Sequence, residues 1–334
     1  MQNDRYPFSL NLPILDQLSN CKSLLIAGMG GGFDIFCGLP IFFELQHQIS
    51  GKIHLANLTF SNVVFSKAAN LQGLTILSPT LVGVHSTTQE LPVYFPELYL
   101  SQWFKEQRDE DVTLWCFKKT GVVNLLANYQ ILIKHLNIDG ILLIDGGIDS
   151  LSQGTEAQTG TIVEDSLSLA AVHQITEIPV RLIGCLGFGA ERDISYAHFL
   201  ENIAGLAATQ SFLGSCSLIQ QMPVYQLYEN AVLYVQSRPC QESSVINSSI
   251  ISAVRGHYGN YYLTERTKDS QLWISPLMSI YWFFELTAIA EKNLFLERLL
   301  NTETLGDVME ITAQFIQARP RRSEEIIPLF RVST

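Results

Sequence analysis

Apolar residues in the first half of the chain fall into short continuous runs, separated by stretches with helical spacing. The runs at 23–27, 52–60, 74–77, 112–117, 140–144 and 180–185 predict strands buried on both faces. Between them, 122–136 and 166–175 space their apolar residues three and four apart, which predicts amphipathic helices. Shorter helices are expected at 14–18 and 39–45. This alternation predicts a Rossmann-like α/β fold, a mostly parallel sheet with helices on both faces. Right-handed crossovers then bring the strands' C-terminal ends to one edge, where open α/β sheets bind ligands. Beyond about residue 196 the spacing turns helical, over 196–220, 223–236, 243–254, 278–300 and 303–318, with a hairpin or strand near 257–263. The expected organisation is an α/β domain over 1–195 and a mostly helical C-terminal portion over 196–334. No polar linker separates them, so the second is expected to pack on the sheet rather than stand alone.

Composition narrows the partners. Of 334 residues, 47% are hydrophobic and 16% charged, enough for a large core under a lightly charged surface, which favours a homo-oligomer. Lys and Arg number 21 against 32 Asp and Glu, a net charge of −11, so no positive field exists to hold nucleic acid non-specifically. The basic cluster Arg319-Pro320-Arg321-Arg322 is followed by Glu324 and Glu325 and reads as a solvated helix end. Six cysteines without a CxxC pair fit buried thiols in a reducing compartment. With no leader-like N-terminus, a cytoplasmic location is expected. The uncharged stretch 202–228 contains Gln210, Gln220, Gln221 and Pro223, and the apolar run 277–289 is short and carries Glu285. Neither reaches ~20 predominantly apolar residues, so no membrane span is expected.

Four loops, each after a predicted strand, carry candidate chemistry. In the first, Gly28, Gly30, Gly31 and Gly32 precede Phe33 and Asp34. Such a turn brings backbone N–H groups and a helix start close to a phosphate or carboxylate, and Asp34 caps the helix or meets the ligand. Phe33 occupies the last glycine position of GxGxxG, and the second strand ends at Asn57-Leu58-Thr59 without the acid a ribose needs, so NAD is not supported. A turn needed only for packing is the alternative. In the second, Lys119, Thr120 and Gly121 at a helix start form an anion site, or Thr120 is a plain N-cap.

The third loop is acidic. Asp145 and Asp149 flank Gly146 and Gly147, with Glu156, Glu164 and Asp165 close behind. Two acids at a buried strand end are costly without a partner. They suit a divalent cation such as Mg²⁺, acid and base work, or the hydroxyls of a sugar. Glu164 and Asp165 read first as helix caps. In the fourth, Gly187 and Gly189 lead to Glu191 and Arg192, which face the ligand or stand on the surface. His257 is a more distant candidate. GxSxG, HExxH and metal-spaced Cys/His pairs do not occur.

The glycine turn, Lys119-Thr120-Gly121, the Asp145–Asp149 run, Gly187–Glu191 and the stretch Pro276 to Trp282 together resemble the prokaryotic domain-of-unknown-function family numbered 1152, over nearly the whole chain. The resemblance implies an α/β fold and carries no established activity; Phe33 departs from the more glycine-rich form of its turn. More loosely, Gly28 to Pro40 resembles the first loop of sirtuin and deoxyhypusine-synthase-like NAD domains, whose other signatures are missing. The expected function is an enzyme binding a small anionic metabolite, nucleotide-like or phosphorylated, at the C-terminal edge of the sheet. Asp145, Asp149 and Glu191 are its candidate catalytic residues, with Asp145 and Asp149 as metal ligands for hydrolysis or group transfer. The alternative is a non-catalytic nucleotide-binding sensor or oligomeric scaffold.

Overall fold

The computed structural model describes residues 8–268, 272–319 and 322–324. Nine strands form one sheet: β1 (Ser23–Gly28), β2 (Lys52–Thr59), β3 (Leu74–Ser78), β4 (Leu81–Val84), β5 (Leu114–Lys118), β6 (Gly140–Gly146), β7 (Val180–Leu186), β8 (Phe212–Ser217) and β9 (Ile280–Glu285), in the order β3-β4-β5-β2-β1-β6-β7-β9-β8. The central five, β5-β2-β1-β6-β7, are parallel. An antiparallel pair extends each side, β4 and β3 beyond β5, β9 and β8 beyond β7.

The continuous apolar runs are strands with both faces covered, as a parallel sheet requires. In β1, Leu24 and Ile26 enter one core with the helices Leu39–Leu45, Pro96–Arg108 and Pro223–Gln236. Leu25 and Ala27 enter the opposite core with Val122–Leu136, Ile162–His173 and Leu305–Ala318. β6 alternates in the same register, Leu142 and Ile144 against Ile141 and Leu143.

The C-terminal portion departs from its helical expectation in two places. The segment expected as helix 196–220 is helical over Tyr196–Ala208 and then forms β8; the segment 278–300 opens as β9 before turning helical at Leu286. The aromatic sequence Ile280-Tyr281-Trp282-Phe283-Phe284 suits a pleated surface better than a helix. Tyr281 and Phe283 are buried on one side of the sheet and Phe284 on the other, the period of a strand. Near 257–263 no strand forms among the described residues, only an isolated bridge between Gly259 and Ile274. Arg319 donates to the Gly154 carbonyl at 2.8 Å and Arg322 pairs with the exposed Glu201 at 2.7 Å, so that end touches the protein while its acidic side, Glu324, stays exposed; Pro320, Arg321 and Glu325 lie outside the described residues. Cys21, Cys37, Cys116 and Cys185 are buried, and all six thiols are free. Among the described residues no helix is long and apolar enough to cross a membrane.

Candidate functional site

The chain leaves β1 toward one face of the sheet and β6 toward the other, so a crevice opens between their C-terminal ends. That reversal is where open α/β sheets bind ligands. A cavity of about 600 Å³ lies there, lined from the loops after β1, β6 and β7 and the start of the helix Ile162–His173.

Its wall is acidic. Asp34, Asp145, Asp149, Glu164, Asp165 and Glu191 all line it. Oxygens of Asp34, Asp145 and Asp165 lie within 4.8 Å of one another. Protein donors orient several of these groups. Asp34 Oδ2 accepts the Gly30 N–H at 2.6 Å, and Asp145 Oδ2 accepts both the N–H and the hydroxyl of Ser150. Asp149 Oδ2 accepts the Thr161 N–H at 2.8 Å, and Glu191 Oε2 accepts the Ile148 N–H at 2.8 Å. Asp165 is only 5% exposed, and its Oδ1 is buried without a donor.

Glycines make room for these carboxylates. A Cβ on Gly30 would stand 2.6 Å from Asp34 Oδ2. One on Gly147, whose φ is +148°, would stand 2.5 Å from the Glu191 carboxyl carbon. The glycine turn therefore holds Asp34 in place, and the N–H groups of Met29 and Gly30 are already engaged, by Ile144 and Asp34.

Burial and mutual repulsion raise the acids together. Burial, with the charges of Asp149 and Glu164 beside it, pushes Asp34 up to about 7, against donation by Gly30 and Gly146. Burial and then the neighbouring carboxylates hold Asp145, Asp165 and Glu191 well above the ordinary range, and burial raises Asp149. Such a cluster either keeps protons or takes up cations. Lys119 stands beside it, 2.6 Å from Glu164, with its ammonium 3.2 Å from the Phe60 ring centroid. Burial lowers this lysine's pKa, and Glu164 opposes the shift. Arg192 and Arg266 line the cavity as its nearest arginines.

Of the residues singled out in sequence, Gly30, Gly31, Asp34, Asp145, Gly146, Asp149 and Glu191 line the cavity. Lys119 reaches it through Glu164, and Gly147 lies beneath Glu191. Gly28, Gly32, Gly187 and Gly189 shape the surrounding backbone without lining it. Thr120 and Gly121 are directed elsewhere. Gly121 N–H donates to the Glu303 carbonyl at 2.9 Å, and Val122 N–H donates to Thr302 Oγ1 at 3.0 Å. That helix start is thus capped from the Thr302–Glu303 loop, and Thr120, whose hydroxyl donates to the Gly121 carbonyl, is not the cap.

Asp165 is the main residue that sequence reasoning misplaced. The helix begins at Ile162, four residues earlier than expected, so Asp165 sits in its first turn and points into the cavity instead of capping it. Arg266 was missed because nothing near it in sequence marks a site. Glu156 proves structural: burial opposes its charge, but N–H groups of Gln153 and Gly154, Ser152 and Asn202 outweigh that and lower its pKa. His257 stacks on Tyr261 with ring centroids 3.6 Å apart and does not line the cavity.

No curated protein and no solved structure matches this chain. Residues 69–317, a span that holds Asp145, Asp149, Asp165 and Glu191 and starts after the glycine turn, match the family described as "Protein of unknown function (DUF1152)", and the chain belongs to that family.

Proposed function

We propose that the protein is a metal-assisted hydrolase or transferase acting on a small phosphorylated, nucleotide-like metabolite in the crevice between β1 and β6. The observation that carries this reading is the convergence of Asp34, Asp145 and Asp165 within 4.8 Å, with the buried Asp165 Oδ1 lacking a donor. Three oxygens so placed suit a hard divalent cation, which prefers carboxylate ligands and retains waters. Bound there, such an ion polarises a phosphoryl oxygen and lowers the pKa of a bound water. Arg192 and Arg266 at the cavity supply planar donors for the anionic group. Glu164, held by Lys119, fixes the helix that carries Asp165.

Calorimetry with Mg²⁺ and Mn²⁺, followed by a hydrolysis screen of phosphorylated metabolites with the loaded protein, tests the proposal. Binding and turnover are expected for the wild-type chain and lost in Asp145→Asn and Asp165→Asn. Unchanged cation binding in both variants would refute it.

A further inference from the structure

Acidic groups do not make up the whole cavity wall. Phe60, Val245, Ile246 and Arg266 line it as well. Phe60 follows β2 and is 45% exposed, a large apolar surface to leave open beside a charged site. Its neighbours fix which part of the ring is open. Lys119 covers one face, with its ammonium 3.2 Å from the ring centroid and its side chain only 7% exposed. One edge rests on the glycine turn, where a Cβ on Gly32 would stand 3.0 Å from both Cδ2 and Cε2 of the ring. Tyr94 packs edge-on to it, with centroids 6.5 Å apart. The exposed area of Phe60 therefore belongs to the face turned away from Lys119.

We propose that this open face of Phe60 is the seat of a nucleobase, so that the crevice takes a nucleoside phosphate rather than a sugar phosphate. The inference rests on the reading above and narrows its substrate class. Aromatic faces hold bases by offset stacking, whatever the base. A cation on the far face draws the ring's electron density toward itself, which weakens the repulsion between two stacked π clouds. Lys119 is locked in that place by Glu164 at 2.6 Å, so it acts on the ring rather than on a phosphate. The ring is held by Lys119, Tyr94 and the glycine turn before any ligand arrives, which lowers the ordering cost of binding. Val245 and Ile246 open the helix Val245–Val254, and Asn247 in the same turn donates to the Phe33 carbonyl at 3.2 Å. This apolar part of the wall is thereby fastened to the glycine turn. A cavity of about 600 Å³ is of the size that holds a base, a ribose and a phosphate together.

The test is calorimetry of the full chain in Mg²⁺ with ribose 5-phosphate and with the 5′-monophosphates of adenosine, guanosine, cytidine and uridine, which add a base to it. At least one nucleotide is expected to bind roughly tenfold or more tightly than ribose 5-phosphate. Phe60→Leu keeps an apolar side chain and removes the π face. It should erase that preference and leave ribose 5-phosphate binding unchanged, whereas Phe60→Trp should retain the preference. Nucleotides no tighter than ribose 5-phosphate in the wild-type chain, or a preference that survives in Phe60→Leu, overturn the base seat and leave the metal-carboxylate reading standing. A Mg²⁺-loaded chain that binds none of these compounds also overturns the base seat, and absence of Mg²⁺ binding overturns the metal reading whatever the nucleotides do. Should Phe60→Leu fail to fold, the wild-type ratio still decides.

Discussion

At the scale of single residues, much of the site is built from groups whose burial has a cost. Glu97, fully buried behind the glycine turn, is a case separate from the acidic cluster. Its Oε1 accepts from Asn57 Nδ2 at 2.8 Å, and the same amide nitrogen donates to the Gly32 carbonyl, so Glu97 supports the turn from behind. Glu97 Oε2 and Asn57 Oδ1 are both buried without a donor. Burial pushes Glu97 from 4.5 up to about 7, against donation from its own backbone, Asn57 and Thr59. A raised folded-state pKa means that the associated stability is fully present below the unfolded value of 4.5 and is lost as pH rises through about 7. The loss is on the order of 3 kcal/mol. Glu97→Gln removes the titration, so its stability relative to wild type should be greater at pH 8 than at pH 5. Urea unfolding at the two pH values checks this; an equal difference at both would show that Glu97 does not titrate in the fold.

At the scale of elements, legibility followed burial pattern. The parallel strands were readable because a strand covered on both faces is apolar throughout, and 122–136 was readable because its polar positions keep a helical period. β8 and β9 were not, since unbroken apolar runs fit a buried helix as well as a strand, and only the aromatic content of Tyr281 to Phe284 favours the sheet. The position of Asp34, Asp145 and Glu191 at strand ends, where they line the cavity, was legible for the same topological reason. Asp165 and Arg266 were not, because a helix boundary displaced by four residues and a distant loop leave no local mark. Capping shows the same limit. Thr120 precedes a helix in sequence, yet Thr302, 180 residues away, caps it, its hydroxyl donating to Leu299 and accepting from Val122. Thr302→Val strands a buried N–H and should cost about 1–3 kcal/mol, whereas Thr120→Val should cost less. Thermal unfolding of the two variants ranks them directly, and the reverse order would restore Thr120 as the cap.

At the scale of the molecule, the acidic crevice joins the two halves of the sheet. Asp34 follows β1, Asp145 ends β6, Glu191 follows β7, and Asp165 belongs to the helix connecting β6 to β7. An ion held by these groups ties together segments that otherwise meet only through the sheet, so its binding should stabilise the whole fold rather than one loop. At a free concentration one hundred times the dissociation constant, mass action gives about 2.7 kcal/mol. Removing one of the acids should act in two opposite directions. Asp165→Asn relieves a buried like-charge cluster, so in a chelator the variant should melt above the wild-type chain, as expected where a functional site is kept at the expense of stability. On adding Mg²⁺ or Mn²⁺ the order should invert, because only the wild-type chain gains from the ion. Differential scanning calorimetry of both proteins, with and without the ion, contains the whole comparison. A crossing of the two melting temperatures is expected; parallel curves would mean that the carboxylates are held apart by protons alone and that no cation belongs between β1 and β6.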